Sequence, residues 1–256
     1  MKRLTMLASM VFAALGLASF AVADSSGPIT FESSQGYTAG TNINGQNGWS
    51  NLGSYDANVA LVSNFAAASG YGFGDQALQI SNAKTSGSFG DQTFAPLLTT
   101  GAAQGTATQH FAASFSIGTT QNTQQSGLSI SVSPDNGQGA RMSYLRFEDQ
   151  TGSVHVFFDE AKGATFKETD IATLTRGAAH TVAFLIDFTA ASSKQVTIAI
   201  DNSVKAVGST WASYYQTQEH NPTSAVTTML FRAGGTAVST LEGNGYLIDN
   251  LTYASS

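Results

Sequence analysis

The feature that most constrains this chain is the repeated occurrence of short apolar segments separated by clusters of Gly, Asn, Ser, Thr and Asp. Segments of this kind, rich in β-branched and aromatic residues, are typical of the strands of a β-sandwich. They do not alternate with the long amphipathic helices that a parallel βαβ fold requires. The predicted strands are residues 29–32, 110–117, 127–133, 141–148, 154–160, 180–188, 195–201, 204–207, 226–233 and 246–253.

The composition excludes several other classes of protein. Only 11% of the residues are charged, against about 25% in an average soluble chain. Long solvent-exposed helices need charged faces, so the composition argues against a helical bundle. The chain is 42% hydrophobic and 10% aromatic, which is enough to build a core and argues against disorder. It contains no cysteine, which excludes disulfides, thiolate zinc sites, iron–sulfur clusters and a cysteine nucleophile. We therefore predict an all-β, single-domain antiparallel β-sandwich.

The N-terminus has the pattern of a secretory signal peptide. Lys2 and Arg3 precede an apolar stretch over residues 4–20, and residues 21–23 read Ala-Val-Ala. This small-x-small ending predicts cleavage after Ala23, whereas an uncleaved membrane anchor is the alternative. We expect a signal peptide at 1–23, a sandwich domain at 24–256 and export to the periplasm or the medium, with no membrane association after cleavage. Loss of the two basic residues makes a net charge of −6 more negative, which argues against a nucleic-acid partner.

One predicted hairpin carries the candidate ligand site. If residues 149–152 form a four-residue turn, Arg146 lies opposite His155 and Tyr144 lies opposite Phe157. The other side of the two strands holds Leu145, Phe147, Val154, Val156 and Phe158 and is expected to face the core. We therefore expect Tyr144, Arg146, His155 and Phe157 to share the outer face.

These residue types fit two kinds of carbohydrate chemistry. In a binding groove, an aromatic ring stacks on the sugar while Arg and His hydrogen-bond its hydroxyls. In a polysaccharide lyase, Arg neutralises a uronate carboxylate and His or Tyr transfers the proton. A solvated face without a ligand is the third interpretation. Trp211, in an aromatic segment after a predicted strand, either lines the rim of such a groove or packs in the core.

The familiar hydrolase and cofactor motifs are absent from the sequence. There is no Glu-x-Asp-x-Glu strand to place two carboxylates on one face. There is also no Gly-x-Ser-x-Gly elbow, no His-Glu-x-x-His and no phosphate-binding glycine loop. A non-catalytic protein is therefore the first expectation.

Both ends of the predicted domain resemble those of secreted bacterial jelly-roll modules. The opening consists of Phe31-Glu32, a Gly-Tyr-Thr-Ala-Gly segment at 36–40 and an Asn-Gly-Gln-Asn-Gly-Trp segment at 44–49, and the close is residues 245–253. Between them, residues 180–202 resemble paired strands of concanavalin A-like and laminin G-like sandwiches. The resemblance implies a jelly roll whose first and last strands are neighbours, with carbohydrate as the commonest ligand class.

The same resemblance implies a structural calcium ion. In carbohydrate-binding jelly rolls with similar ends, Ca²⁺ commonly lies between a glutamate of the first strand and an aspartate of the last, and the matching residues here are Glu32 and Asp249. Two carboxylates supply charge, and carbonyl groups and water would complete a shell of about six to eight oxygens. The alternative is that Asp249 only accepts hydrogen bonds from loop amides while Glu32 lies in solvent.

Three functional hypotheses follow from the sequence. The first is an exported, non-catalytic protein that binds a polysaccharide, a glycan or another extracellular polymer. The second is a polysaccharide lyase of the same fold. The third is a structural surface protein without a small ligand.

Overall fold

A computed structural model describes residues 24–52, 57–80, 92–98, 109–219, 225–235 and 245–256. The predicted signal peptide, residues 1–23, lies outside these ranges. Within them, no helix is both long enough and apolar enough to cross a bilayer.

Antiparallel strands are the main regular structure of the described chain. One short helix, α1 (Ala212–Thr217), and single turns of 3-10 helix at Ser33–Gln35, Val62–Asn64, Ala66–Gly70 and Ser192–Lys194 complete it. The strands are β1 (Asp24–Ser25), β2 (Thr41–Asn42), β3 (Ser50–Leu52), β4 (Ala57–Leu61), β5 (Gln76–Ile80), β6 (Gln92–Phe94), β7 (His110–Thr119), β8 (Leu128–Asp135), β9 (Tyr144–Asp149), β10 (Val154–Lys162), β11 (Thr165–Leu174), β12 (His180–Asp187), β13 (Val196–Ile200), β14 (Ser203–Gly208), β15 (Thr228–Gly235) and β16 (Tyr246–Ser255).

These strands form two sheets that pack face to face. The nine-stranded sheet has the order β14-β13-β12-β7-β16-β5-β4-β2, with β1 paired to β16. The seven-stranded sheet has the order β11-β10-β9-β8-β15-β6-β3. The pairing of β1 with β16 brings the first and last strands together. The all-β sandwich predicted from the sequence is therefore confirmed.

Alternate residues of each long strand point into one core. Phe115 and Val182 from the nine-stranded sheet meet Ile130, Phe147 and Phe231 from the seven-stranded sheet, and all five are buried. The opposite faces carry more polar side chains, as expected for a sheet with one covered and one outer face, although a small apolar cluster around Tyr71 and Leu247 lies on the outer side of the nine-stranded sheet. A functional surface on this fold is therefore built from outward residues of neighbouring strands.

The β9–β10 hairpin has the predicted faces but a different register. Leu145, Phe147 and Val156 point into the core as expected. However, Asp149 still belongs to β9, and the turn is formed by residues 150–153, with the Gln150 amide bonded to the Ser153 carbonyl at 3.1 Å. The pairing is shifted by two residues, a shift that preserves the faces because the side-chain period of a strand is two.

The shift changes the cross-strand partners in the candidate site. Arg146 lies opposite Phe157 and not opposite His155, whose partner is Glu148. Tyr144 lies opposite Asp159. The predicted pairs of Arg146 with His155 and of Tyr144 with Phe157 are therefore wrong.

The predicted first strand, residues 29–32, is also wrong. Ile29 makes only an isolated bridge to Leu251, and Phe31 has a left-handed backbone with φ of 57°. That conformation interrupts the strand, since a residue at positive φ cannot continue a ladder. Glu32 consequently lies at a turn, just before the 3-10 helix.

Candidate functional site

The outer surface of three adjacent strands holds the predicted ligand residues. We call this surface the β9–β11 face. Arg146 and His155 point outward from β9 and β10, and Glu168 and Asp170 point outward from β11. Its outward residues are Tyr144, Arg146, Glu148, His155, Phe157, Asp159, Phe166, Glu168 and Asp170.

Arg146 is fixed at the centre of this face by two carboxylates. Its Nε and Nη2 donate to the two carboxylate oxygens of Glu168 at 2.8 and 2.7 Å, and its Nη1 donates to Glu148. Partial burial opposes ionisation, but the hydrogen bonds that Arg146 donates to Glu168 and Glu148 hold its pKa above the ordinary value. A bidentate pair of this geometry fixes the guanidinium plane. Arg146 therefore carries a charge that the protein itself already balances.

His155 and Phe157 extend the same network along β10. His155 Nδ1 lies 2.6 Å from Asp170 Oδ2, and the imidazole stacks on the ring of Phe157, with 6.2 Å between the ring centroids. The Arg146 guanidinium carbon lies 4.2 Å from the centroid of the Phe157 ring, which is a cation–π contact. The structure thus brings Arg146, His155 and Phe157 into one connected group.

Asp159 adds a further carboxyl beside Tyr144. Partial burial, and then the negative charge of Glu168, raise the pKa of Asp159 to about 6, while Arg146 acts in the opposite direction. Together with Glu148, Glu168 and Asp170 it makes the surroundings of Arg146 acidic. An anionic ligand would meet net repulsion here, because four carboxylates face one arginine and one histidine.

An aromatic cluster borders the face at the end where α1 packs against β10. Trp211 stacks on Tyr144 with ring centroids 5.7 Å apart, and its Nε1 donates to the Asp159 carbonyl at 2.9 Å. Phe166 on β11 contacts Trp211 and Tyr214, with centroids 4.8 and 4.9 Å away. Trp211 is only 8% exposed, whereas Phe166 is 43% exposed. Trp211 therefore supports the cluster, and Phe166 presents an open aromatic ring to solvent.

Phe166 was not identified from the sequence. Its strand, β11, consists of largely exposed, polar residues, so it lacks the alternation of apolar and polar residues by which the other strands were recognised. Glu168 and Asp170, which hold Arg146 and His155, lie on the same unpredicted strand. An exposed phenylalanine within a polar segment is the one signal that could have indicated it.

A buried ion pair fastens the turn that joins β9 to β10. Arg176 donates to Asp149 Oδ1 from Nε at 2.8 Å and from Nη2 at 2.5 Å, and it also donates to the Gln150 carbonyl. The second oxygen of Asp149 accepts from the amide of Gln125 at 2.9 Å. The hairpin that carries Arg146 and His155 is thereby tied to the loops on both sides of it.

Glu32 and Asp249 meet at a separate place, around the backbone of Gly74. Asp249 Oδ2 accepts from the Gly74 amide at 3.2 Å, and Oδ1 accepts from the Asn250 amide at 2.8 Å. Glu32 Oε1 accepts from the Gln76 amide at 3.1 Å and occupies the space where a side chain at position 74 would lie. The left-handed conformation of Asn250, with φ of 53°, interrupts the pairing of β16 at this point.

The electrostatics of this pair are compatible with a divalent cation. Asp249 is 1% exposed, and burial raises its pKa to about 6, with a smaller contribution from the negative charge of Glu32 and in opposition to the amide hydrogen bonds. A bound cation would offset both the cost of burying the charged Asp249 carboxylate and its repulsion from Glu32. Among the described residues there is no group of three or more His, Cys, Asp or Glu side chains suited to a metal, so carbonyl groups and water would have to supply the other ligands.

Comparison with known proteins gives similarity of fold and not of sequence. No protein-family model and no curated protein matches the chain. Among solved structures, the T. cruzi calreticulin globular domain is similar with a TM-score of 0.51 and 10% identity, over 82% of this chain and 84% of that chain. The CBM2 module of the evolved Dit protein of Lactobacillus casei BL23 phage J-1 has a TM-score of 0.49 and 10% identity, over 82% and 91% of the two chains. An alginate lyase from Pseudomonas aeruginosa has a TM-score of 0.47 and 9% identity, over 70% and 83%.

The chain therefore has the fold of a concanavalin A-like jelly-roll sandwich. At 10% identity the likeness extends to the architecture alone, because one sandwich supports many unrelated activities.

Proposed function

We propose that this chain is an exported, non-catalytic carbohydrate-binding protein whose β9–β11 face receives a polysaccharide or glycan. The observation that carries the proposal is the exposed ring of Phe166, supported by Trp211 and Tyr214, beside polar groups that are already held in position. Aromatic rings stack on the apolar faces of sugars, and fixed polar groups bond the surrounding hydroxyls. Phe166, Arg146, His155 and Phe157 would contact the ligand, and the buried Tyr144 and Trp211, which stack on each other, would support Phe166 from below.

The preorganisation of this face favours binding. Glu168 and Glu148 hold Arg146, and Asp170 holds His155, so little side-chain entropy remains to be lost when a ligand arrives. A carboxylate that has one hydrogen bond to Arg or His keeps lone pairs for a sugar hydroxyl. We expect the ligand to be uncharged, since the face has an excess of carboxylates.

A polysaccharide lyase is the alternative, and the geometry supports it less. A lyase needs an arginine that is free to neutralise a uronate carboxylate and a base that is free to take a proton. Arg146 is bound on two sides by carboxylates, and His155 is bound to Asp170. A third alternative, a structural surface protein, predicts no saturable sugar binding.

We also propose that Glu32 and Asp249 hold a structural Ca²⁺. Two carboxylate groups meet at Gly74, one of them almost fully buried, and a hard divalent cation is the ligand that would offset their repulsion. The ion would tie the turn at Glu32 to the last strand, β16. Its role would be structural, because no residue of the β9–β11 face belongs to this pair.

Affinity electrophoresis in gels containing neutral or uronate polysaccharides tests the carbohydrate proposal. Retardation by a neutral polymer, with no ultraviolet-absorbing unsaturated product from any uronate polymer, is the expected result. Formation of that product would establish the lyase instead. Unretarded migration in every gel, together with an empty glycan array, would favour the structural alternative.

A further inference from the structure

The outer face of the other sheet carries a pocket that is separate from the β9–β11 face. It encloses about 760 Å³, within the range of about 300–1,000 Å³ common for small-molecule sites. Its floor is formed by Asn58 and Gln79, which are cross-strand partners on β4 and β5. The chain that includes Asn64 and Phe65 forms one wall, and Gln121 and Asn122 after β7 form the other.

The side chains that line this pocket are neutral. Amide groups come from four places in the fold: Asn58, Asn64, Gln79 and the pair Gln121 and Asn122. No Asp, Glu, Lys, Arg or His is among its described lining residues. A carboxamide provides both donors and an acceptor, which is the complement of a sugar hydroxyl. The lining therefore favours a hydroxylated ligand without charge.

Several of these amides keep their hydrogen-bonding capacity available. Within the described part of the chain, the side chains of Asn58, Asn64 and Asn122 have no hydrogen-bonding partner. Small residues between them, including Ala60, Ala66 and Gly40, leave the space open.

Phe65 supplies an aromatic group in the wall of the pocket. Its ring is half-buried and packs against a small apolar cluster that contains Ala68, Tyr71, Ala77 and Leu247. The amide of Phe65 donates to the Val62 carbonyl at 3.0 Å, and the Val62 amide donates to the Asp75 carbonyl at 2.9 Å. The wall is thus anchored to the sheet, and the aromatic side chain is held where a sugar ring could pack against it.

From this placement we infer that the pocket between β4, β5 and Phe65 is a second carbohydrate site, specific for an uncharged di- or trisaccharide. It lies on the nine-stranded sheet, so the two sites would be on opposite outer faces of the sandwich. Such a protein could engage two glycan chains and gain avidity on a polymer surface. This inference does not depend on the β9–β11 face binding anything.

The test is two-dimensional ¹H–¹⁵N NMR and calorimetric titration of the full exported chain with a panel of neutral di- and trisaccharides. We expect saturable shifts in the side-chain amide resonances of Asn58 and Asn64, and about a tenfold loss of affinity in Asn58→Ala and in Asn64→Ala. Gln216→Ala removes an exposed amide on α1, which packs against β10 of the seven-stranded sheet. This control variant should bind like the wild type. Phe166→Ala should leave the pocket resonances and their titration unchanged, even where it abolishes binding at the β9–β11 face.

Two results would overturn the inference. One is that no neutral sugar in the panel shifts the pocket resonances. The other is that sugars bind but Asn58→Ala and Asn64→Ala, both shown to be folded by their melting curves, keep wild-type affinity.

Discussion

Arg146 on β9 and Glu168 on β11 form a bidentate ion pair that reaches across β10. The two hydrogen bonds are 2.8 and 2.7 Å long. Because Glu148 also bonds the same guanidinium, the cation most suited to bind a uronate is already neutralised within the protein. The preference for an uncharged ligand depends on this arrangement.

Glu168→Gln should change that preference. Removing one carboxylate charge leaves Arg146 with a single anionic partner, so we expect at least a severalfold gain in affinity for uronate oligosaccharides at low salt, which added salt reverses. Affinity electrophoresis in gels with alginate and in gels with a neutral polysaccharide, each at low and at high salt, measures the change in affinity for the charged and the uncharged polymer. Asp187→Asn, which removes the same charge from the other sheet, is the control. An equal gain in both variants would mean that only net charge matters.

Gly74→Ala should move Glu32 out of the predicted calcium site. A Cβ atom at this position would overlap the carboxylate of Glu32 and displace it. Because Glu32 is a flexible side chain, we expect a loss of only about 1 kcal/mol in the metal-free protein, but loss of the stabilisation by Ca²⁺. Gly70→Ala, where a Cβ meets no atom within 4 Å, is the matched control. Thermal melts with EDTA and with Ca²⁺ provide the measurement, and a wild-type melt that Ca²⁺ does not shift would contradict the calcium proposal.

The raised pKa of Asp249 makes stability depend on pH. Its pKa is about 6 in the folded protein, against about 3.9 in an unfolded chain, so the folded state binds more protons between these values. Its contribution to stability is therefore fully present below about pH 4 and is lost as the pH rises through about 6, by on the order of 2–3 kcal/mol. Melting of the metal-free protein should show Asp249→Asn with a flatter decline than the wild type between about pH 5 and 7.5. Parallel profiles would show that Asp249 is not the group responsible.

Removal of Arg176 should be costly because its partner is buried. Asp149 is 2% exposed, and Arg176→Ala leaves that carboxylate without its counter-charge, which typically costs about 3–5 kcal/mol. Asp170→Asn, which breaks the half-exposed pair with His155, should cost less than about 1 kcal/mol. Urea denaturation compares the two. Similar losses in both variants would mean that the Arg176 pair contributes no more than a surface pair.

The strands with clear apolar alternation could be predicted from the sequence, and those without it could not. In β7, β10, β12 and β13, alternate residues point into the core between the sheets, and the predicted segments coincide with these strands closely. The tight turn at Asp201 and Asn202 was also recognisable, since both residues adopt the left-handed conformation that such hairpins need. β11 was missed because it is an edge strand with mostly exposed side chains.

The part of the candidate site on β9 and β10 could be predicted from the sequence, and the part on β11 could not. Period two places Tyr144, Arg146, His155 and Phe157 on one face regardless of a register shift by two residues, so the grouping was accessible from the sequence. The ion pairs of Arg146 with Glu168 and of His155 with Asp170 could not be predicted, because they require the position of β11, which the sequence pattern did not reveal. The difference matters chemically, because those carboxylates turn an apparently basic site into an acidic one.

Sugar binding by Phe166→Ala tests the central claim most directly. Phe166 is 43% exposed and contacts Trp211 and Tyr214, so its removal should lower the stability by about 1–2 kcal/mol, with the protein still folded, while lowering the affinity for a neutral polysaccharide about tenfold. Val204→Ala, on β14 of the other sheet and 51% exposed, removes exposed apolar surface away from the site and should bind like the wild type. Affinity electrophoresis of the three proteins in one gel series gives the answer. Weaker retardation of Phe166→Ala than of the other two proteins is the predicted result, any remainder coming from the pocket between β4 and β5, and equal retardation of all three would contradict a carbohydrate site on the β9–β11 face.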